Sequence, residues 1–218
     1  MCILLLAGCQ PKEEKRLDTD FEGSITYQFT SWESKEKDSA KAMDTRSYFP
    51  IDTMICYIDE GCFLTKMSSR HEDLDYQYTN PHINKSFMSM TDTDTLFVNS
   101  GEKPQSWETP LLDVSQAFNT DTILGHICHS LTLKYKDRTQ TLIYSPDLPT
   151  NPEWYQSMKM NNTHIKYKHM KAYFLGEKFE SKEFNYTTRA IRIIPGNVPS
   201  LLFPMMEKVK GRPQVSID

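Results

Sequence analysis

The stretch His126-Ile127-Cys128-His129 places three metal-binding side chains within four residues. On a strand, His126 and Cys128 face one way and His129 the other, so the three cannot converge on one ion. His164 and His169 are five apart, a spacing that suits neither a strand face nor a helix face. Asp92-Thr93-Asp94 lacks the glycine and the distal glutamate of a calcium loop and reads as a hairpin turn. No GxSxG, HExxH, P-loop or dinucleotide fingerprint occurs, and no spacing pairs a nucleophile with a base. The sequence therefore predicts no catalytic residue, no metal and no cofactor. An enzyme would have to assemble its site from distant strands, and a hydrolase ranks last among the functional readings.

A different chemistry is written at the start, MCILLLAGCQPKEEKR. An apolar run, then Ala7-Gly8, then Cys9 reads as a lipobox, in which the cysteine becomes a lipidated N-terminus. The run is too short to span a bilayer, which takes about 20 apolar residues. It is also short for a signal peptide and has no basic residue before Cys9, so the natural start is expected upstream. Residues 1–8 are read as a signal-peptide remnant, 9–20 as a charged, lipid-anchored tether, and 21–218 as a single β-rich domain.

At 218 residues with a net charge of −4, the chain is large enough for one sizeable core and lacks the basic stripe that nucleic acid requires. The cluster Lys166, Lys168, His169 and Lys171 is read as a solvated strand face. Cys56, Cys62 and Cys128 remain after the leader, an odd number that excludes a complete disulfide framework. With a three-residue loop Asp59-Glu60-Gly61, Cys56 and Cys62 are diagonal neighbours about 7–8 Å apart, beyond disulfide reach. With a two-residue loop they fall on opposite faces. Either way the three cysteines are expected free.

Positioning falls to strands. FEGSITYQF alternates apolar and polar residues, and TMICYID, CFLTKMSS, LDYQYT, KSFMSMT and TLFVNS follow one another between turn signals. SKEKDSAKAMD is a polar segment that admits a short helix. Thr109-Pro110 is expected to cap a helix through Leu111, Leu112, Ala117 and Phe118, and Asn151-Pro152-Glu153 one through Trp154, Tyr155 and Met158. ILGHICHSLTLKYK and QTLIYS form a long hairpin around Asp137-Arg138, and KAYFLGEK with FNYTTRAIRII a last pair. The expected fold is mainly β, an incompletely closed antiparallel barrel with a few short helices at its mouth. Several strands are apolar on both faces. On the three-residue loop, Met54, Cys56, Ile58 and Leu64 share one face, and Ile55, Tyr57, Phe63 and Met67 the other. Both faces must then be covered, by a helix, by the opposite wall or by a ligand.

Three stretches carry a resemblance: Asp121-Thr-Ile-Leu-Gly-His-Ile-Cys128, Leu142-Ile-Tyr-Ser-Pro-Asp-Leu-Pro149 with Asn151-Pro-Glu-Trp-Tyr155, and Ala190-Ile-Arg-Ile-Ile-Pro195 through Val198-Pro-Ser-Leu-Leu-Phe203. Together they resemble an uncharacterised lipoprotein domain family of Bacteroidetes, with His126 where an aromatic is usual and Pro204-Met-Met in place of the usual ending. That family in turn resembles the LolA-like periplasmic lipoprotein carriers and their outer-membrane receptor, open barrels whose concave face accepts acyl chains. The resemblance implies a non-enzymatic, lipid-anchored protein of the outer membrane, on its periplasmic face or at the cell surface. Its partners would be the membrane, through the anchor, and an apolar ligand or a lipoprotein. The rival reading is a surface scaffold or adhesion component with a filled barrel. Candidate ligand-wall residues are Tyr57, Phe63, Met67, Phe87 and Phe97, with Trp154 on the lid. The pair of Lys12 with Glu13-Glu14 resembles a surface-export signal, with an ordinary charged tether as the alternative. Ser39, Thr53, Thr95 and Thr122 each sit in an Asp-Ser/Thr-apolar triplet resembling an O-glycosylation acceptor, where about one match is expected by chance.

Overall fold

The computed structural model describes residues 20–35, 53–67, 74–90, 95–105, 108–198 and 214–216. Among these residues twelve strands form one sheet: β1 (Gly23–Ser34), β2 (Thr53–Asp59), β3 (Cys62–Met67), β4 (Leu74–Asn80), β5 (Lys85–Met90), β6 (Leu96–Ser100), β7 (Leu111–Ile123), β8 (His126–Tyr135), β9 (Arg138–Pro149), β10 (Ala172–Ser181), β11 (Phe184–Pro195) and β12 (Gln214–Ser216). Their order across the sheet is β12-β6-β5-β4-β3-β2-β1-β11-β10-β9-β8-β7. Two meanders meet where β1 pairs with β11, and the sheet ends on β7 and β12 without closing. All pairings are antiparallel except β12 on β6, which is parallel. Register shifts in β1, β7 and β10 mark bulges, which bend the strands and increase the twist.

Two tight turns set which side chains face which way. Asp59 pairs with Cys62 across Glu60 and Gly61, whose φ values are 46° and 74°. Ile123 pairs with His126 across Leu124 and Gly125, at 50° and 85°. Both are two-residue loops with positive φ at both central positions, the geometry that matches strand twist. Of the two loop lengths open at Asp59 the two-residue one is found, and the faces read on the three-residue loop are thereby corrected. Phe63 lies opposite Ile58 and Leu64 opposite Tyr57, so Phe63 joins the Met54, Cys56 and Ile58 face and Leu64 leaves it. Cys56 and Cys62 lie on opposite faces, and all three described cysteines are free.

Helical structure is short. A 3-10 turn spans Pro152–Tyr155, its first turn capped by the Asn151 side chain accepting from the Glu153 N–H. Another spans Met160–Asn162 and leads into the helix α1 (Thr163–Met170). Lys171, left-handed at φ 50°, ends α1 with its N–H on the Tyr167 carbonyl. Lys168 and His169 in the last turn suit the negative end of the helix dipole. The expected helix from Leu111 is instead strand β7, and the expected strand face around Lys166 is α1. Both reversals come from misleading periods. In Ile165-Lys166-Tyr167-Lys168 the polarity alternates as in a strand, while Leu111, Val114 and Phe118 fall at helical spacing on an edge strand that is largely exposed.

The main core lies between α1 with its flanking turns and one face of the sheet. Tyr155, Met158, Tyr167 and Met170 pack there against Ile25, Tyr27, Ile58, Leu131, Leu142 and Leu175. A second buried cluster occupies the other face of β3–β6: Cys62, Leu64, Tyr78, Phe87, Leu96 and Val98. Strands β3–β6 therefore bury side chains on both faces, since Thr79 and Ser86 on the first face are also buried and hydrogen-bonded together at 3.2 Å.

Candidate ligand cavity

Beside α1, the first face of the sheet leaves a cavity of about 900 Å³. One wall is the β2–β3 hairpin, presenting Met54, Cys56, Ile58, Phe63 and Thr65 because the Glu60-Gly61 turn puts them in phase. The opposite wall is built from β9, β10 and β11, with Leu142, Phe174, Phe179 and Tyr186. Phe179, Phe184 and Tyr186 stack as a ladder, Phe179 and Tyr186 with ring centroids 5.1 Å apart. The floor is α1 through Lys166, Tyr167 and Met170. Tyr27 crosses beneath, donating its hydroxyl to the Phe174 carbonyl at 2.7 Å.

Polar residues gather toward one end. Ser181 pairs with Arg138, so the β8–β9 and β10–β11 turns lie together, bringing Asp137, Arg138, Ser181, Lys182 and Glu183 to the same rim. Arg138 stacks 4.3 Å over the Tyr135 ring, lies 3.4 Å from Asp137 and donates to the Thr109 hydroxyl. Deeper in, Glu177 accepts from Gln140 at 2.6 Å and is hydrogen-bonded to Tyr186. Burial governs the acidities. It pushes the Cys56 thiol up to about 12, raises Tyr27, Tyr167 and Tyr186 well above the ordinary tyrosine range, and lowers Lys166. At neutral pH these hydroxyls and the thiol are uncharged, and the wall they form is electrically quiet.

The residues singled out from sequence divide. Phe63 lines the cavity. Phe97 falls on the same sheet face, through Cys56, Thr65, Gln77 and Met88 in register, but is not part of the cavity wall. Tyr57 and Phe87 face the other way, Tyr57 packing on the second cluster and Phe87 belonging to it. Their expected place in the wall is corrected: the two-residue turn separates Tyr57 from Phe63, and the pairing of Phe63 with Thr79 and of Thr79 with Ser86 puts Phe87 on the other face. Met67 pairs with Met54 in register, and its side chain lies outside the described residues. Trp154 sits over the hairpin tip, where a Cβ on Gly61 would overlap its ring, and its ring meets His82 edge-on at 5.5 Å. It thus braces the turn and is not part of the cavity wall. The cavity residues that sequence reading missed are chiefly Tyr27, Tyr167, Glu177 and Lys166. Nothing in their spacing marks them, because the sheet brings them together from distant strands.

Of the glycosylation candidates, Thr53 opens β2, Thr95 precedes β6, and Thr122 is exposed on β7. Ser39, Cys9, residues 9–19 of the tether, residues 36–44 of the SKEKDSAKAMD segment, Asp92-Thr93-Asp94 and residues 199–206 lie outside the described residues, while Ser34 ends β1. His126 pairs with Asp147 at 2.9 Å, while Nδ1 of His129 accepts from the Asn119 N–H. Among the described residues no three His, Cys, Asp or Glu side chains come together as a metal site, and no helix is long and apolar enough to cross a membrane.

No family model and no curated protein matches the chain. Among solved structures, that of PNGF-II is similar at 12% identity and a TM-score of 0.45, covering 89% of this chain. The similarity takes in 31% of the PNGF-II chain, so the present chain spans about a third of that neighbour's length.

Proposed function

We propose that the chain is a non-enzymatic binding protein that takes up an apolar, chain-like ligand in the cavity between α1 and the sheet. In this reading it is an open half-barrel of the LolA-like kind. Cys9 carries the lipid that holds it at the outer membrane, on either face. The observation that supports the reading is the cavity itself, about 900 Å³ and walled by Met54, Ile58, Phe63, Leu142, Met170 and Phe174. Its size lies within the range of small-ligand sites, about 300–1,000 Å³. Methionine and aromatic side chains suit a wall that must fit flexible chains.

The test is displacement of a fluorescent fatty acid by acyl chains of increasing length. Burying a methylene contributes about 0.8 kcal/mol, so each added methylene should tighten binding by about fourfold until the cavity is full. An affinity that stays flat with chain length, or no binding at all by delipidated protein, would leave the rival reading standing, a scaffold with no small-molecule ligand. The anchor is tested separately. Cys9→Ser should move the protein to the soluble fraction, since stable attachment takes two or more acyl chains.

A further inference from the structure

The cavity is apolar along most of its wall, yet one cation opens onto it from α1. Lys166 is half-buried and lines the cavity. Glu177 and Glu108 both act on it electrostatically from beyond ion-pair distance, and each is engaged elsewhere, Glu108 by the Gln105 and Asn161 N–H groups. Glu177 is held by Gln140 and Tyr186, and Asp137 by Arg138 and the Thr109 hydroxyl. Glu183 stands at the β10–β11 turn. Among the described residues no carboxylate comes within ion-pair distance of the Lys166 ammonium, whose charged form burial disfavours. A charge kept half out of water without a partner costs free energy unless something else supplies the opposite sign.

We infer that the ligand is an amphiphile with a long alkyl chain and a single anionic head, and that Lys166 receives the head while the chain lies along Phe63, Met54 and Phe174. This rests on the cavity reading above and adds to it the chemistry of the head group. The rim fits the same picture. Arg138 is locked by Asp137, Thr109 and Tyr135, so it lends positive potential without being free to move, whereas the lysine ammonium can adjust to a carboxylate or a phosphate.

The experiment uses one chain length and three heads: palmitate, hexadecyl phosphate and hexadecanol, each competing with the same fluorescent probe on the full chain. The carboxylate and the phosphate should bind at least tenfold more tightly than the alcohol, as charge-assisted hydrogen bonds are stronger than neutral ones. Which of the two binds better separates a fatty acid from a phospholipid-type head. In Lys166→Met the preference should vanish with the alcohol still bound, and in Lys166→Arg it should persist. The comparison of heads on the unaltered protein decides the matter even if Lys166→Met fails to fold. Equal binding of all three heads would overturn this inference while leaving the cavity reading intact. Binding of none would remove both.

Discussion

The β2–β3 turn offers the sharpest test of how this chain positions its cavity, through Gly61→Ala. Gly61 has φ 74°, and a Cβ there would overlap the Trp154 ring. Two separable costs follow. A side chain in the left-handed region costs about 1–2 kcal/mol. Forcing a methyl into an occupied site adds about 1–3 kcal/mol. The variant should therefore lose about 2–5 kcal/mol of unfolding free energy. Trp154 is half-buried against the main core, so Trp154→Ala alone should cost roughly 2 kcal/mol, below the range for a fully buried ring. In the double variant the backbone strain remains but the overlap is gone. The two losses should then fall short of additivity by about 1–3 kcal/mol. Urea unfolding followed by far-UV circular dichroism reads this directly, provided the slope m is unchanged across the four proteins. Additivity within about 0.5 kcal/mol would refute the contact between the turn and the ring. So would a Gly61→Ala loss below about 1 kcal/mol. A hairpin that escaped the overlap by slipping one residue would turn Phe63 and Thr65 out of the cavity, and acyl binding would fall with stability.

Two further outcomes are expected. Tyr155→Phe removes a buried hydroxyl that donates to the Gly61 carbonyl at 2.8 Å and meets Tyr173 at 3.1 Å, so it should cost about 1–3 kcal/mol, and an unchanged melting temperature would contradict the network. Cys56, with its thiol pushed to about 12, should be thiolate in only about one molecule in ten thousand at pH 8. It should stay unmodified by iodoacetamide until the protein is denatured, as read by peptide mass, with any native reaction accelerating about tenfold per pH unit.

The strands were legible wherever a strand had one periodic pattern bounded by turn residues. TMICYID, KSFMSMT and TLFVNS coincide with β2, β5 and β6 to within a residue at each end. Legibility failed where the local period conflicts with the tertiary setting. Strand β7 is an edge strand with β8 its paired neighbour, so nothing forces an alternating pattern on it, and its bulge between Ala117 and Asp121 breaks the phase again. Leu112 and Phe118 are each 67% exposed, which no core-facing pattern would suggest. Asp59-Glu60-Gly61 shows how one residue of loop length decides a site. The type of element was readable on both sides of the turn. The parity was not, because a glutamate in the left-handed region at Glu60 is a choice that propensity argues against. The two-residue parity takes Tyr57 off the Phe63 face and Leu64 off the Cys56 face, while the β3–β4 and β4–β5 registers set Phe87 on the face opposite Phe63.

That correction also moves the argument for an apolar ligand onto different residues. The double-sided apolar strands suggested a greasy interior, but much of that surface is spent on the second cluster, where Leu64, Phe87 and Leu96 are already buried. The cavity wall is richer in tyrosine than in aliphatic residues. What makes it apolar is where the hydroxyls go. Tyr27 donates to the Phe174 carbonyl, Tyr135 accepts from Asn162, Tyr173 accepts from Thr150, and Tyr186 is bound to Glu177. Each polar tip is occupied by the protein, which leaves ring faces and edges for the space between. Tyrosine used this way supplies a large apolar area at low conformational cost while its hydroxyl fixes the ring. Lys166 stands apart from that pattern, a charged group on the cavity with no carboxylate of the described residues within ion-pair distance. A ligand that satisfied the wall and ignored the lysine would leave that half-buried ammonium without an ion-pair partner.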